Sequence, residues 1–183
     1  MRIGRANAVA TLWGFAEATV FFIVPDVLLS WLALRSPKSG YTACLFALFG
    51  ALIGGSVMWA WGRIDADSAR AMFEFLPAIG EASIPGVQQQ LADSGITALF
   101  LGPLGGTPYK IYSVEAANLG YGLAIFLVVS IPARLTRFVV VTFVSGVASR
   151  LLRRRFSLRT VQMIHVACWL VFYAWFFTIM ADS

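Results

Sequence analysis

The chain has 183 residues, of which 59% are hydrophobic and 13% are charged, whereas soluble globular domains average roughly 45–50% apolar and about 25% charged residues. This composition excludes a disordered segment and a coiled coil, and it favours an all-α integral membrane protein with a single membrane domain. The net charge of +5 does not indicate nucleic-acid binding, because five of the 14 basic residues fall between Arg150 and Arg159, in a loop between apolar runs. Such a loop is typical of a membrane topology signal and of contact with anionic lipid.

The first apolar run covers residues 6–34 and is interrupted by Glu17 and by Pro25-Asp26. A secretory signal peptide is the competing interpretation, since Arg2 and Arg5 precede the apolar residues. A glutamate inside the run, and no small-residue cleavage pattern before Pro25, argue against it. We expect a re-entrant hairpin that turns at Pro25.

Residues 41–62 form a cleaner span, with 22 residues and no charge, and about 20 residues cover the hydrocarbon core of a bilayer. Gly50 and Gly54 have the spacing that allows close helix packing. Residues 63–95 are the only extended polar stretch, with a net charge of −3. They predict a partly amphipathic surface loop with one short helix, followed by a loop at Pro85-Gly86.

Residues 96–120 are apolar but contain a cluster of helix-breaking residues: Gly102, Pro103, Gly105, Gly106 and Pro108. Proline removes a backbone hydrogen bond and clashes with the preceding turn. Backbone groups freed in hydrocarbon must be covered by protein or by water in a cavity. The segment therefore predicts a second re-entrant hairpin, or a broken helix, buried in the fold.

Residues 121–149 are long enough to span a membrane, with a bend expected near Pro132, and residues 160–180 form a final aromatic-rich span. If the basic loop 150–159 is cytoplasmic, the acidic stretch 63–95 lies outside. The two hairpins then enter from opposite faces and meet near the midplane, an arrangement common in transporters. A simple bundle of four or five helices, in which residues 6–34 cross completely, is the alternative.

Ionisable residues within apolar segments cost roughly 2.5–3.5 kcal/mol each on insertion scales, so they persist when they pair, face water or serve a function. Six such residues occur here: Glu17, Asp26, Lys110, Glu115, Arg134 and Arg137. We expect one internal polar cluster of near-zero net charge, in which Arg134 and Arg137 share a helix face. It would serve either transport or only the structural pairing of the two hairpins.

Other candidate sites are weaker. His165 stands alone in the last span, where a packed or interfacial histidine is expected rather than a proton relay. Cys44 and Cys168 have the character of small buried hydrophobic residues. The sequence contains neither a metal-ligand constellation nor a nucleophile with a base and an orienting group. We therefore predict that the protein is not an enzyme and needs no cofactor; an enzyme acting on lipid phosphates is the weakest hypothesis.

The stretch PLGGTPYK from Pro103 to Lys110 resembles the second hairpin of the DedA family, also called the VTT-domain or SNARE-associated Golgi protein family, in its small bacterial branch. Glu17 ahead of Pro25-Asp26 is similar to the acidic residue and proline-acidic turn of that family's first hairpin. The order of hairpin, span, polar loop, hairpin and two spans also agrees, over residues 6–180.

The resemblance implies a flippase or scramblase that moves an anionic lipid or a lipid-phosphate headgroup, such as undecaprenyl phosphate, with proton coupling as a further option. Glu17 and Asp26 would take the carboxylate roles and Lys110 the place of a hairpin arginine. The family's other hairpin arginine has no counterpart near Gly102, so Arg134 or Arg137 would supply that charge. Lysine is a point charge and does not grip phosphate in a fork as arginine does.

These considerations predict a multi-pass protein of the bacterial inner membrane. Its partners would be phosphate-bearing membrane lipids and no nucleic acid, with a homo-oligomer left open. The alternative is a non-transporting scaffold or envelope-maintenance protein, in which the internal charges only hold the hairpins together.

Overall fold

A computed structural model describes residues 3–76, 79–80, 82–102 and 106–181, and these residues contain helices and no strand. The helices, in chain order, are α1 (Ile3–Thr19), α2 (Asp26–Arg35), α3 (Pro37–Ile64), α4 (Ala66–Phe73), α5 (Ser83–Ser94), a 3₁₀ turn (Gly95–Thr97), α6 (Ala98–Leu101), α7 (Tyr109–Asn118), α8 (Leu123–Leu152) and α9 (Leu158–Ala181). Arg2 and two of the predicted hairpin-shaping residues, Pro103 and Gly105, lie outside the described residues.

Three of the described helices are long and apolar enough to cross a membrane. They are Pro37–Ile64, Leu123–Leu152 and Leu158–Thr178. These helices contain the predicted span 41–62 and most of the predicted spans 121–149 and 160–180. The all-α class expected of a membrane protein agrees with this architecture.

The first apolar run consists of two helices separated by an irregular segment, residues 20–25. Helix α2 begins directly after Pro25, and Ser36 with Pro37 starts α3, where the Ser36 hydroxyl accepts a hydrogen bond from the Ser39 amide at 3.4 Å. Proline suits the first turn of a helix because its missing amide would have no partner there. The chain therefore leaves α2 through a sharp corner into α3.

Helices α1 and α3 pack at very short range through glycines. A β-carbon on Gly50 would lie 1.9 Å from the backbone oxygen of Thr11, and one on Gly54 would lie 2.7 Å from that of Phe15. The small-residue packing predicted for α3 is thus confirmed. Thr11 contacts Gly50, and Phe15, four residues later in α1, contacts Gly54, four residues later in α3. Helices α1 and α3 therefore run parallel. The start of α1 and the end of α2 both lie near the start of α3.

The second break lies between Gly102 and Tyr109, and its described residues have the backbone that the sequence predicts. Gly106 has a φ of +95°, which L side chains rarely adopt. A β-carbon on Gly102 would lie 1.6 Å from the hydroxyl of Tyr112, so a larger residue there would displace the Tyr112 ring. Pro108 is extended and immediately precedes α7.

The polar stretch 63–95 differs from the prediction, because it contains two helices rather than one. The expected loop at Pro85-Gly86 is wrong: both residues lie in the first turns of α5, where proline is tolerated for lack of an amide partner. Helix α4 is amphipathic as predicted, with buried Ala69 and Phe73 and an exposed charged face.

Helix α8 runs unbroken through Pro132, and the bend expected there stays a prediction. Its last turns contact the corner between α2 and α3: the Ser149 hydroxyl donates to the carbonyl of Leu34 at 2.8 Å. Arg35 and Lys38 therefore lie at the same end of the molecule as the arginines that follow α8. The basic loop itself is shorter than predicted, since α8 ends at Leu152 and α9 begins at Leu158.

Candidate functional site

Glu17 and Arg134 form a buried ion pair between α1 and α8. Two parallel hydrogen bonds join them, one from Nη1 to Oε1 at 3.2 Å and a shorter one from Nη2 to Oε2. The guanidinium carbon of Arg134 also lies 4.6 Å from the ring centroid of Tyr109 and 5.1 Å from that of Phe138. Arg134 is therefore held by a carboxylate in its plane and by aromatic rings within reach of a cation–π interaction.

Asp26 and Arg137 form a second ion pair one turn further along α8. Arg137 Nη2 donates to Asp26 Oδ2 at 2.6 Å, while Asp26 Oδ1 is buried without a hydrogen-bond partner among the described residues. Arg134 and Arg137 share a helix face, as predicted, because they are three positions apart. Each arginine thus pairs with one carboxylate of the first apolar run.

Lys110 differs from the two arginines. Its side chain is buried, with the residue 3% exposed, and its ammonium group donates to the backbone carbonyl of Phe21 at 2.9 Å. Within the described residues, no carboxylate lies within ion-pair distance of Lys110. A lysine has three N–H donors, so among the described residues this one hydrogen bond leaves two available. The bond also joins the two helix breaks directly, since Phe21 lies in the first break and Lys110 follows the second.

A cavity of about 150 Å³ opens beside these groups, and Glu17, Lys110 and Arg137 line it. We call it the charged cavity. Thr107 and Pro108 contribute to its wall from the second break. Arg134 is not among the lining residues. The five predicted site residues therefore converge in one cluster, but only three of them face the cavity.

The cluster carries one net positive charge when all its groups are ionised, rather than the near-zero charge expected, because only two acidic residues accompany its three basic ones. Charges in a low-dielectric interior interact strongly, and an uncompensated buried charge is costly unless a partner arrives. The arrangement is therefore suited to an anion that approaches Lys110 through the charged cavity.

Glu115 does not belong to this cluster, and the prediction that all six ionisable residues gather at one place is wrong. Its carboxylate accepts hydrogen bonds from Arg70 Nε at 2.7 Å, Arg70 Nη2 at 2.8 Å and Gln88 Nε2 at 3.0 Å. Lys110 and Glu115 are five positions apart on α7, about 140° around a helix of 3.6 residues per turn. They therefore face different neighbours.

Arg70 links α4 to α7 through this contact. The hydrogen bonds that Arg70 donates to Glu115, with a further contribution from Asp67, raise the pKa of the Arg70 guanidinium. The arginine therefore remains charged, and the Arg70–Glu115 pair is a structural link at one end of α7 rather than a part of the charged cavity.

His165, a residue of α9, is packed against α2, as expected. Its Nε2 accepts the indole N–H of Trp169 at 3.1 Å and lies 2.8 Å from the Ser30 hydroxyl. Nδ1 of the ring is buried and has no hydrogen-bond partner among the described residues.

Aromatic residues of α9 complete the charged cavity and were not singled out from the sequence. Trp169, Phe172, Tyr173 and Phe176 line it opposite Glu17, and Tyr173 accepts a hydrogen bond from the Val24 amide at 3.0 Å. The spacing of 169, 172, 173 and 176 places these rings on one helix face. That periodicity was the available signal in the aromatic-rich last span.

Comparison with known proteins adds one relative. No protein-family model matches the chain, and no solved structure matches it. The chain is 25% identical over 129 residues to an uncharacterized protein of Haemophilus influenzae (strain ATCC 51907 / DSM 11121 / KW20 / Rd), an alignment that spans 69% of this chain and 65% of the relative. The match therefore covers slightly less than two thirds of the relative's length.

Proposed function

We propose that this protein moves an anionic lipid or lipid-phosphate headgroup across a bilayer, as a flippase or scramblase. The single observation that carries the proposal is Lys110. A buried ammonium group that bonds a neutral carbonyl, and that faces a cavity with two further donors available, is a site for an anion. The net positive charge of the cluster supports the same substrate class.

Each charged residue of the cluster has a separate role in this proposal. Lys110 and Arg137 contact the phosphate oxygens, and Arg137 can exchange its partner between Asp26 and the substrate. Arg134 acts as a positioning residue that holds the Glu17 carboxylate at the cavity wall. Glu17 faces the cavity and is therefore the group best placed to take up a proton if transport is proton-coupled.

The membrane arrangement is part of the proposal. Residues 6–34 and 96–120 act as re-entrant hairpins from opposite faces, and their breaks meet at the Phe21–Lys110 hydrogen bond. Helices α3, α8 and α9 cross the inner membrane of a bacterium, with the basic segment after α8 in the cytoplasm. This orientation follows the preference of Lys and Arg for the cytoplasmic side, since Arg35, Lys38 and the arginines after Leu152 lie at one end.

A non-transporting scaffold is the second candidate, and one observation favours it. Two of the three cations of the cluster are already paired with carboxylates from the first apolar run, which is what a structural clamp requires. Under this hypothesis the charged cavity binds no transported lipid, and substitutions in the cluster change only the stability of the protein.

Replacement of Lys110 by glutamine distinguishes the two candidates. The purified protein is reconstituted into phosphatidylcholine vesicles with a trace of fluorescent phosphatidic acid, and movement between leaflets is followed by quenching from outside. We expect Lys110→Gln to lower the rate by about 100-fold, which corresponds to about 2.7 kcal/mol, while thermal unfolding in detergent changes little. The chain's other lysine, exposed Lys38, provides the matched control Lys38→Gln, which should transport normally. Equal rates for the two variants, or no transport by the unaltered protein, would contradict the proposal.

A further inference from the structure

A second cavity lies next to the charged one and has a different character. It occupies about 390 Å³ between the first apolar run and α9. Trp13, Val27 and Leu28 line one side, and Val166 and Leu170 line the other. We call it the apolar groove. Its walls are mostly hydrocarbon and aromatic, with the imidazole of His165 among them.

The apolar groove and the charged cavity share two wall residues, Trp169 and Tyr173. Both side chains are anchored on the first apolar run: the Tyr173 hydroxyl accepts from the Val24 amide at 3.0 Å, and the Trp169 indole donates to Ser30 Oγ at 3.3 Å. The two spaces therefore adjoin at a pair of aromatic side chains whose polar atoms are bonded to the first apolar run.

The groove is open towards the surroundings of the protein. On the α9 side, Val166 is 44% exposed and Leu170 is 66% exposed. In a membrane this surface faces lipid chains, because α9 is among the helices long and apolar enough to cross. A charged cavity that adjoins an open apolar groove has the shape of an amphiphile, with a polar head and a hydrocarbon tail.

We infer that the apolar groove holds a hydrocarbon chain of the anionic amphiphile whose phosphate lies at Lys110, an inference that rests on the proposed function. The substrate enters sideways from the membrane, with its head passing the Trp169–Tyr173 pair and its chain remaining in the groove. Lipid chains and protein side chains are equally apolar, so packing against the groove, and not the hydrophobic effect, holds the chain. The headgroup at Lys110 then fixes which lipid occupies the groove.

Photochemical labelling tests the placement directly. The unaltered protein is reconstituted with phosphatidic acid carrying a diazirine in the middle of one acyl chain, and adducts are mapped by mass spectrometry. We expect adducts on the groove lining, including Val166 and Leu170, that unlabelled phosphatidic acid reduces at least fivefold and unlabelled phosphatidylcholine does not. The phosphatidylcholine form of the probe should label the groove no more than the exposed Phe143 and Val144 of α8.

The variant Lys110→Gln separates this inference from the proposed function. If Lys110→Gln lowers transport and also abolishes the preference for phosphatidic acid in the groove, both stand. If it lowers transport while groove labelling stays the same for both headgroups, the groove inference fails and the proposed function survives. If it leaves transport unchanged, the proposed function itself fails.

Filling the groove gives a second test with a matched control on the same helix. Val166 lines the groove, whereas Val171, which is 69% exposed, lies outside it. We expect Val166→Trp to slow transport of dioleoyl phosphatidic acid at least tenfold and to leave dihexanoyl phosphatidic acid within twofold, since its short chains do not need the groove. Val171→Trp should leave both rates unchanged. Equal slowing by the two variants, or slowing of both lipids by Val166→Trp, would overturn the inference.

Discussion

Glu17 and Arg134 bury opposite charges at a level near the middle of α8. Taking such a pair out of water costs several kcal/mol per ion, and the attraction between the partners repays this only with good geometry. The two parallel hydrogen bonds and the neighbouring rings of Tyr109 and Phe138 supply that geometry. The pair therefore stabilises the fold only while both members are present.

Removing one member of this pair should destabilise the protein by about 3–5 kcal/mol, because an uncompensated charge is left in the interior. We expect Glu17→Gln to show this loss in denaturant unfolding in detergent. The double variant Glu17→Gln/Arg134→Gln should recover most of the stability. Asp93→Asn, at an exposed carboxylate, is the control and should change stability by less than about 0.5 kcal/mol.

Transport by the same double variant separates the two candidate functions. If Glu17 contacts the transported lipid or takes up a proton, the stable double variant remains inactive in vesicles, since the cavity has lost its carboxylate. A double variant that regained both stability and transport would assign Glu17 a purely structural role.

At the scale of elements, α1 packs closely on α3 because α3 carries glycines at the contact. A β-carbon at Gly50 would lie 1.9 Å from the Thr11 backbone oxygen, and backbone cannot move aside as a side chain end can. We expect Gly50→Ala to destabilise the protein by about 1–3 kcal/mol, as overpacking generally does, measured by unfolding in detergent. Gly4→Ala is the control, because nothing lies within 4 Å of a β-carbon at Gly4; an equal loss there would refute the steric explanation.

Helix α4 is tied to α7 by the Arg70–Glu115 pair, in which the Glu115 side chain is fully buried. Arg70→Gln should leave this carboxylate without its arginine hydrogen bonds and cost about 3 kcal/mol. We expect faster amide exchange across α4 and an unchanged transport rate per folded molecule, because neither residue lines the charged cavity. Arg63→Gln, at an exposed arginine, should alter neither. A transport defect without faster exchange would show that this pair has a functional role.

At the scale of the whole molecule, the direction of α1 distinguishes the re-entrant arrangement from a simple bundle. Because α1 and α3 run parallel, Gly4 and Lys38 lie towards the same end. Single cysteines at positions 4, 38 and 154, in a background with Cys44 and Cys168 replaced by alanine, should react with a membrane-impermeant maleimide from the cytoplasmic side. A cysteine at the exposed Gln89 should react only from the other side. Labelling of position 4 together with position 89 would support the bundle, in which residues 6–34 cross completely.

The sequence by itself determined the class of the protein and the two places where the apolar runs 6–34 and 96–120 break. Uncharged runs of membrane length predict helices, because backbone groups in hydrocarbon must bond within their own segment. The breaks at Pro25 and at Gly106–Pro108 follow from local backbone chemistry, which needs no knowledge of neighbouring elements. Such features are encoded over a few residues, and the described structure contains them.

Tertiary structure alone decided which charges meet. The sequence placed six ionisable residues in apolar segments, but partners such as Glu17 and Arg134 are separated by 117 positions. Their pairing depends on how α1 and α8 each pack on α3, which no local pattern specifies. No local pattern shows the partners of Glu115 either. Its carboxylate faces α4 and α5, where Arg70 and Gln88 donate hydrogen bonds to it. Lys110 is left facing a cavity because both carboxylates of the first apolar run are already held by the arginines of α8.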